Sequence, residues 1–447
     1  MSELVTVGED GRVIGRSQVA RLNADLGIGV DVSTAARTTL LANAGLAAGG
    51  FSPQGNGFVI PPEEASRLRA DDAGLASIVR PFMTGADIVK EPRERYLIDF
   101  GFMSLSEAQA YPLVLQIVID RVLPTRAVNK RASYRDFWWR LGEPRRFLRE
   151  ALADIETCVI TVYTGKHRPF VRASSAIAYD DTIIVFALEK RWQHAVLSSS
   201  IHRHWELSLG GRLEDRPRYN KAKCFDAFPF PLPTRDKADQ LDVLADKLHA
   251  HYAIIARRPG GCTLTEAYNV VEKLRVGVAL TEFESRVNAS VACGVLKDLH
   301  DSLDAAVAAA YGWPWPMDRD EILERLVALH AERVAEERRG LVRWLRPDYQ
   351  IPRFGRGLPS QTDADFGDAA PPDIAPTPAQ PWPDTVVAQL TAINTLLMRG
   401  PLTAADVAAS FANARADLVE RHLETLAMMG EAVRRADNTY ALSRRAA

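Results

Sequence analysis

The spacing of apolar residues changes character twice along the 447 residues. At the start, Leu4-Val-Thr-Val and Arg12-Val-Ile flank Glu9-Asp-Gly, and the Asp-Gly pair predicts a hairpin turn. Sequence rich in Gly and Ala, with no regular period, follows to about Ile60. Pro61-Pro-Glu-Glu then predicts a helix with proline and acids in its first turn. From Val79 the pattern is mixed. Tyr96-Leu-Ile-Asp-Phe reads as a strand, Ser104-Leu-Ser-Glu opens a helix with a capping box, and Phe170–Ala178 and Thr182–Leu188 are β-rich. After Pro233 apolar residues recur at three and four, as at Leu296, Leu299, Leu303 and Val307. That period predicts helices near 236–257, 263–276, 282–310 and 318–339, ending in Trp344-Leu-Arg-Pro. His249 and His251 stand two apart on one of them and share no face, so they read as surface residues, not metal ligands.

Leu358–Pro383 holds seven prolines, four aspartates and no basic residue, the composition of a linker. Beyond it, Thr385–Leu442 predicts three short helices and a two-stranded wing around Asp437-Asn438, a winged helix-turn-helix pattern with Arg415, Arg421, Arg434 and Arg435 available to DNA. The expected organisation is α+β. An N-terminal segment (1–76) precedes a mixed α/β domain (77–235), a helical domain (236–357), the linker (358–383) and a winged-helix-like domain (384–447).

Composition narrows the class. With 47% apolar residues the chain can bury substantial cores, and a net charge of −2 gives no global nucleic-acid signal, so any such signal is local. Cys158, Cys224, Cys262 and Cys293 are scattered without a Cys-x-x-Cys pair, which argues against a zinc site and a disulfide framework. No apolar run approaches the ~18 residues of a membrane span and no signal-peptide core opens the chain, so a cytoplasmic protein without membrane contact is expected.

Two local basic stretches stand out. Arg121–Arg149 has nine Lys/Arg against Asp136 and Glu143, interleaved with Tyr134, Phe137, Trp138, Trp139 and Phe147. It reads as a phosphate-contacting face carrying Arg126, Lys130, Arg131, Arg135, Arg140 and Arg145, or as a helical surface with its aromatics turned inward. Tyr163–Pro231 has eleven Lys/Arg against seven Asp/Glu, beginning with Lys166, His167, Arg168 and Arg172. Within it, Arg212, Glu214, Arg216 and Arg218 fall on every second residue, and Asn220 and Lys221 follow. In an extended segment that spacing puts long polar groups on one face. Arg suits guanine O6/N7 and a carboxylate suits the cytosine amino group, so the segment is a candidate for base readout, together with Lys166, His167, Arg168 and Arg172. A solvated, salt-bridged strand edge has the same spacing.

Several blocks resemble one family. They include Val79-Arg-Pro-Phe-Met-Thr-Gly-Ala-Asp-Ile, Tyr96-Leu-Ile-Asp-Phe-Gly, Trp138-Trp-Arg-Leu-Gly-Glu-Pro-Arg, Gly211-Arg-Leu, Arg218-Tyr, Cys224-Phe-Asp-Ala-Phe-Pro-Phe-Pro and Gly340-Leu-Val-Arg-Trp-Leu-Arg-Pro. In order and spacing, over roughly residues 15–350, they resemble the C-terminal half of the large single-chain adenine DNA methyltransferases, the type IIL restriction–modification enzymes and their methylase-only relatives. The resemblance implies a target recognition domain followed by a helical spacer, with Gly210–Lys221 in the base-reading region and double-stranded DNA as partner.

The family's catalytic motifs are missing from these residues. The Pro-Pro pairs follow Ile60 and Ala370, so neither is the Asn/Asp-Pro-Pro-Tyr/Phe turn that would hold a flipped adenine. Asp25-Leu-Gly-Ile-Gly lacks a buried strand before it and a small third residue leading into a helix, as a cofactor loop requires. No Asp…Glu-x-Lys nuclease pattern and no Gly-x-x-x-x-Gly-Lys-Ser/Thr loop is present. The expectation is a recognition half with no cofactor of its own, complemented by a separate methyltransferase chain that binds S-adenosylmethionine. The hairpin at residue 4 then reads as the trailing edge of a sheet continued on that chain. A stand-alone DNA-binding regulator using the winged tail and an inactive gene remnant are the alternatives.

Overall fold

Thr157–Val162 and Ile183–Phe186 are apolar at nearly every position and buried on both faces, as interior strands must be. In the computed structural model they form the middle of an antiparallel sheet. Described are residues 2–7, 13–19, 30–71, 73–213, 216–256, 262–358, 380–383, 385–397, 401–428, 431–435 and 439–442. The chain divides into two compact units, 1–361 and 362–447.

The strands of the first unit are β1 (Ser2–Val7), β2 (Val13–Val19), β3 (Ala47–Gly49), β4 (Val59–Ile60), β5 (Val79–Met83), β6 (Tyr96–Ile98), β7 (Thr157–Val162), β8 (Val171–Ser174), β9 (Ala178–Tyr179), β10 (Ile183–Phe186), β11 (Gly211–Leu213) and β12 (Arg216–Arg218). One sheet has the order β3-β10-β7-β8, another β4-β6-β5-β9, and β1-β2 and β11-β12 are separate hairpins. The two four-stranded sheets meet at Gly50. Its N–H donates to the carbonyl of Ile183 at 2.9 Å, and the next residue, Phe51, donates to Tyr179 at 2.7 Å. A Cβ on Gly50 would lie 2.2 Å from the carbonyl oxygen of Asp180, so only glycine fits there.

Helices α1 (Pro62–Asp71), α2 (Gly85–Val89), α3 (Leu105–Ala108), α4 (Pro112–Arg121), α5 (Leu123–Ala127), α6 (Ala132–Asp136) and α7 (Arg146–Leu152) are mostly short. The capping box expected at Ser104 is present: its hydroxyl accepts from the Glu107 N–H, and the Glu107 carboxylate accepts from the Ser104 N–H. Helices α8 (Arg191–Ser198), α9 (Ser200–Leu209) and α10 (Lys221–Cys224) flank the β11–β12 hairpin in the chain. Then come α11 (Arg235–Ala256), α12 (Leu264–Arg275), α13 (Glu282–Val291), α14 (Cys293–Tyr311), α15 (Arg319–Arg338) and α16 (Pro347–Phe354). The architecture is α+β.

Three expectations differ from what is seen. The helix expected over 282–310 breaks at Ala292, which takes a left-handed conformation at φ 51°. No proline marks the break; each piece keeps helical spacing (Val287 and Val291, then Leu296, His300 and Leu303), but the phase slips by one residue between Val291 and Leu296, and Val295, which an unbroken helix would bury, is exposed. His251 is buried on the inner face of α11 with Leu248, Tyr252 and Ile255, and burial lowers its pKa. Finally, residue 76 is not a break in the fold. β3 and β4 sit in the same sheets as later strands, and Asn43 Nδ2 donates to the carbonyls of Phe225 and Phe228 at 2.7 Å each.

The second unit holds α17 (Val386–Leu397), α18 (Ala404–Ala409) and α19 (Ala416–Met428). They pack around Ile393, Val407, Val419, Leu423 and Leu426. β13 (Gln380–Pro381) and β14 (Phe411–Ala412) pair in parallel, and β15 (Ala432–Arg434) and β16 (Tyr440–Leu442) form an antiparallel hairpin. The predicted turn at Asp437-Asn438, most of the Pro-rich linker and Asp25-Leu-Gly-Ile-Gly lie outside the described residues. No helix among the described residues is long and apolar enough to cross a membrane.

Candidate nucleic-acid interface

The alternating segment is a hairpin and not one extended strand, so the expected single face is divided: the register sets position 212 on the opposite face from 216 and 218. Arg212 pairs with Pro217 and Leu213 with Arg216. Glu214 and the side chains of Arg212 and Arg216 lie outside the described residues. Arg218 is described and exposed. Its guanidinium lies 4.7 Å from the centre of the Tyr163 ring, and Nε donates to the Tyr163 hydroxyl at 2.7 Å. Asn220 is exposed and makes no side-chain cap for α10, whereas the Lys221 ammonium is engaged by the Asp226 carboxylate.

Burial redefines the basic cluster at the foot of this hairpin. Arg168 is 4% exposed and ion-paired to Glu206, itself 5% exposed, at 2.8 Å. It also donates to the carbonyl of Pro217 at 2.9 Å and lies 5.2 Å from the centre of the buried Tyr219 ring. It cannot reach a base edge from there, and its expected readout role is corrected to a structural one. His167 is likewise buried, stacked on Tyr268 with Nε2 2.8 Å from Asn269 Oδ1, and desolvation lowers its pKa. Arg172 pairs with Asp246 at 2.7 Å. Lys166 keeps a largely exposed side chain, near Asn269 (2.7 Å) and Glu272 (3.2 Å).

The Arg121–Arg149 stretch divides in the same way. Arg126 is 2% exposed, donates to the Pro53 carbonyl and lies 4.6 Å from the Tyr134 ring centre, so it is a core residue and not a phosphate contact. Arg140 Nε donates to the Met103 carbonyl and Arg145 Nε to that of Gly50, though both side chains keep partial exposure. Lys130, Arg131 and Arg135 are exposed on and before α6. Two features were not singled out in the sequence. Arg146 is exposed, 4.2 Å from the centre of the Phe102 ring. Asp99, in the Tyr96–Gly101 block, is fully buried between Arg80 (3.1 Å) and Arg149 (2.6 Å).

Register places the two stretches together. Ile183, the first residue of β10, faces Val162, the last of β7, and Ile184 faces Gly49, the last of β3. The hairpin is anchored where β7 ends, and Arg145 is tied to Gly50 where β3 ends. With β10 between them the two attachment points are two strand spacings apart, about 10 Å. One end of one sheet therefore carries the hairpin and the anchored start of α7.

The C-terminal unit has a different surface. Among its candidate DNA contacts, Arg415 and Arg421 pair with Asp417, and Arg434 lies 3.8 Å from Glu424. The exposed side of α19 carries Asp417, Glu420 and Glu424 against Arg421, an unfavourable charge for phosphate.

A mixed α/β body that gathers basic and hydrogen-bonding groups at one sheet end has the form of a DNA-reading domain. Residues 30–232 match the family model "MmeI, target recognition domain", and this stretch is a target recognition domain of that class. Among solved structures, the chain is similar in fold to the type IIL restriction–modification enzyme MmeI, determined in complex with DNA. The TM-score is 0.54 at 16% identity, covering 72% of this chain and 40% of that one. No curated protein matches the chain.

Proposed function

We propose that this chain reads DNA sequence for an N6-adenine methyltransferase of the restriction–modification or phage-defence type. The observation that carries the proposal is the joint attachment of the β11–β12 hairpin and the Arg145 segment at one sheet end, inside the stretch that matches a target recognition domain. Arg212, Glu214, Arg216 and Arg218, with Asn220 and Lys166, supply base contacts. A bidentate Arg–guanine pair contributes roughly 1–3 kcal/mol of discrimination. Lys130, Arg131, Arg135 and Arg140, with Arg145 at the sheet end, contact phosphates, which set orientation without reading sequence.

Methyl transfer is assigned to a separate chain. The motifs for S-adenosylmethionine and for the flipped adenine are missing from these 447 residues. Both four-stranded sheets are antiparallel apart from the β5–β9 pair, and a parallel sheet with a Gly-rich loop is the usual support for such a ligand. The C-terminal unit has no DNA role in this reading, given the acidic side of α19.

The test is selection from a pool of duplexes with a randomised core, using the full chain with and without a catalytic partner encoded beside it. A single enriched consensus is expected, with methylated adenine in it only when the partner is present. A pool that returns unenriched overturns the reading.

A further inference from the structure

Among the described residues β11 and β12 pair with each other and, through a single bridge between Thr164 and Arg218, with the chain just past the end of β7, so the base-reading hairpin belongs to neither four-stranded sheet. Something else has to fix its direction. We infer that the buried Arg168–Glu206 ion pair is the positioning device that aims the hairpin, and that it determines specificity without touching DNA.

The connections are explicit. The Arg168 guanidinium reaches three places at once: the Val162 carbonyl at the end of β7, the Pro217 carbonyl in β12, and the Glu206 carboxylate in the last turn of α9. The entry to the hairpin is fixed at the end of the same helix, where the backbone carbonyl of Glu206 accepts the Gly210 N–H at 2.6 Å as the helix's last bond. A Cβ on Gly210 would lie 2.7 Å from the Glu206 carbonyl oxygen and 2.8 Å from that of Arg218, so entry and exit are pressed against the helix end. The Gly165 N–H adds a bond to Pro217 at 3.3 Å. The exit stem is thus tied to the ion pair directly, and the entry stem through the end of the helix that carries Glu206.

A buried ion pair is a poor choice for stability alone, since apolar residues of similar volume often do as well. What apolar residues lack is direction. The planar guanidinium donates in fixed directions to carbonyls of β7 and β12 while its charge is paired with Glu206 on α9, and a lysine ammonium does not reproduce that fork. The pair therefore has the chemistry of an alignment device.

The inference rests on the hairpin being the base-contacting element, and the experiment separates the two. The full chain carrying Arg168→Lys, and separately Glu206→Gln, is compared with the unchanged chain by hydrogen–deuterium exchange without DNA and by selection from the randomised duplex pool. In the variants, exchange in Gly210–Arg218 should quicken roughly tenfold while β7 and β10 keep their protection. The consensus should lose definition at adjacent positions, with bulk affinity for the pool at low salt within about threefold. Unchanged hairpin exchange overturns the inference, and so does a loosened hairpin with an intact consensus. If the unchanged chain selects no sequence, the functional reading has failed, and exchange alone then decides whether the pair holds the hairpin. Should one variant not fold, the other carries the comparison.

Discussion

A guanidinium carries five donors in a fixed plane, and the two basic stretches use it in three ways. Arg126 and Arg168 are enclosed and bind carbonyls, Arg140 and Arg145 bind carbonyls from a half-exposed position, and Arg131 and Arg135 stay exposed with local bonds to the Tyr134 hydroxyl and to the Asn129 and Lys130 carbonyls. Local sequence does not separate these fates. An arginine beside aromatics looks the same whether the rings cover it or it covers them, and what decides is a distant partner such as Glu206 or Pro53. The same enclosure acts on titrating groups. Burial pushes His194 down to about 4 and His202 and His300 down to about 3, and it pushes Asp304 up to about 6. A depressed histidine contributes stability that is complete above its unfolded value near 6.5 and is lost as pH falls toward the folded value. Asp304 acts oppositely: its contribution is complete below the unfolded value of 3.8 and is lost as pH rises through about 6. Three histidines outweigh one aspartate. The urea midpoint should therefore fall from about pH 7 to about pH 4.5, and more shallowly in His300→Gln, whose amide can still meet the Tyr268 hydroxyl. A midpoint that holds or rises over that range contradicts the assignment.

Elements were more legible than residues, for a physical reason. Period and caps are local, so α1, α3, α11, α12, α15 and the β-rich runs stood in the sequence close to where they form. The break at Ala292 and the entry of residues 43–60 into the main body depend on tertiary partners and left no local mark. The hairpin is a middle case. Its extension was visible in the alternation, but its anchoring to α9 through a single ion pair was not. Among the elements, α6 and the two residues before it carry the exposed charges assigned to phosphate. Replacing Lys130, Arg131 and Arg135 with Ala should flatten the salt dependence of DNA binding by about one unit per lost contact. The loss of affinity should be the same for every sequence. Unchanged binding would make this stretch a solvated helix surface.

At the scale of the whole molecule, one body combines the target recognition stretch with the helices behind it, and a second, smaller unit follows the Pro-rich segment. The chain spans 40% of the solved enzyme whose fold it shares. In the proposed function these residues supply recognition, and Glu214 and Arg216 are the positions on which that proposal is tested. The direct measurement is the exchange of the two, Glu214→Arg with Arg216→Glu, assayed by selection from the randomised duplex pool. The account predicts a changed preferred base at one position of the consensus, with overall affinity within about tenfold of the unchanged chain. A consensus identical at every position would contradict it and place base reading elsewhere on the domain.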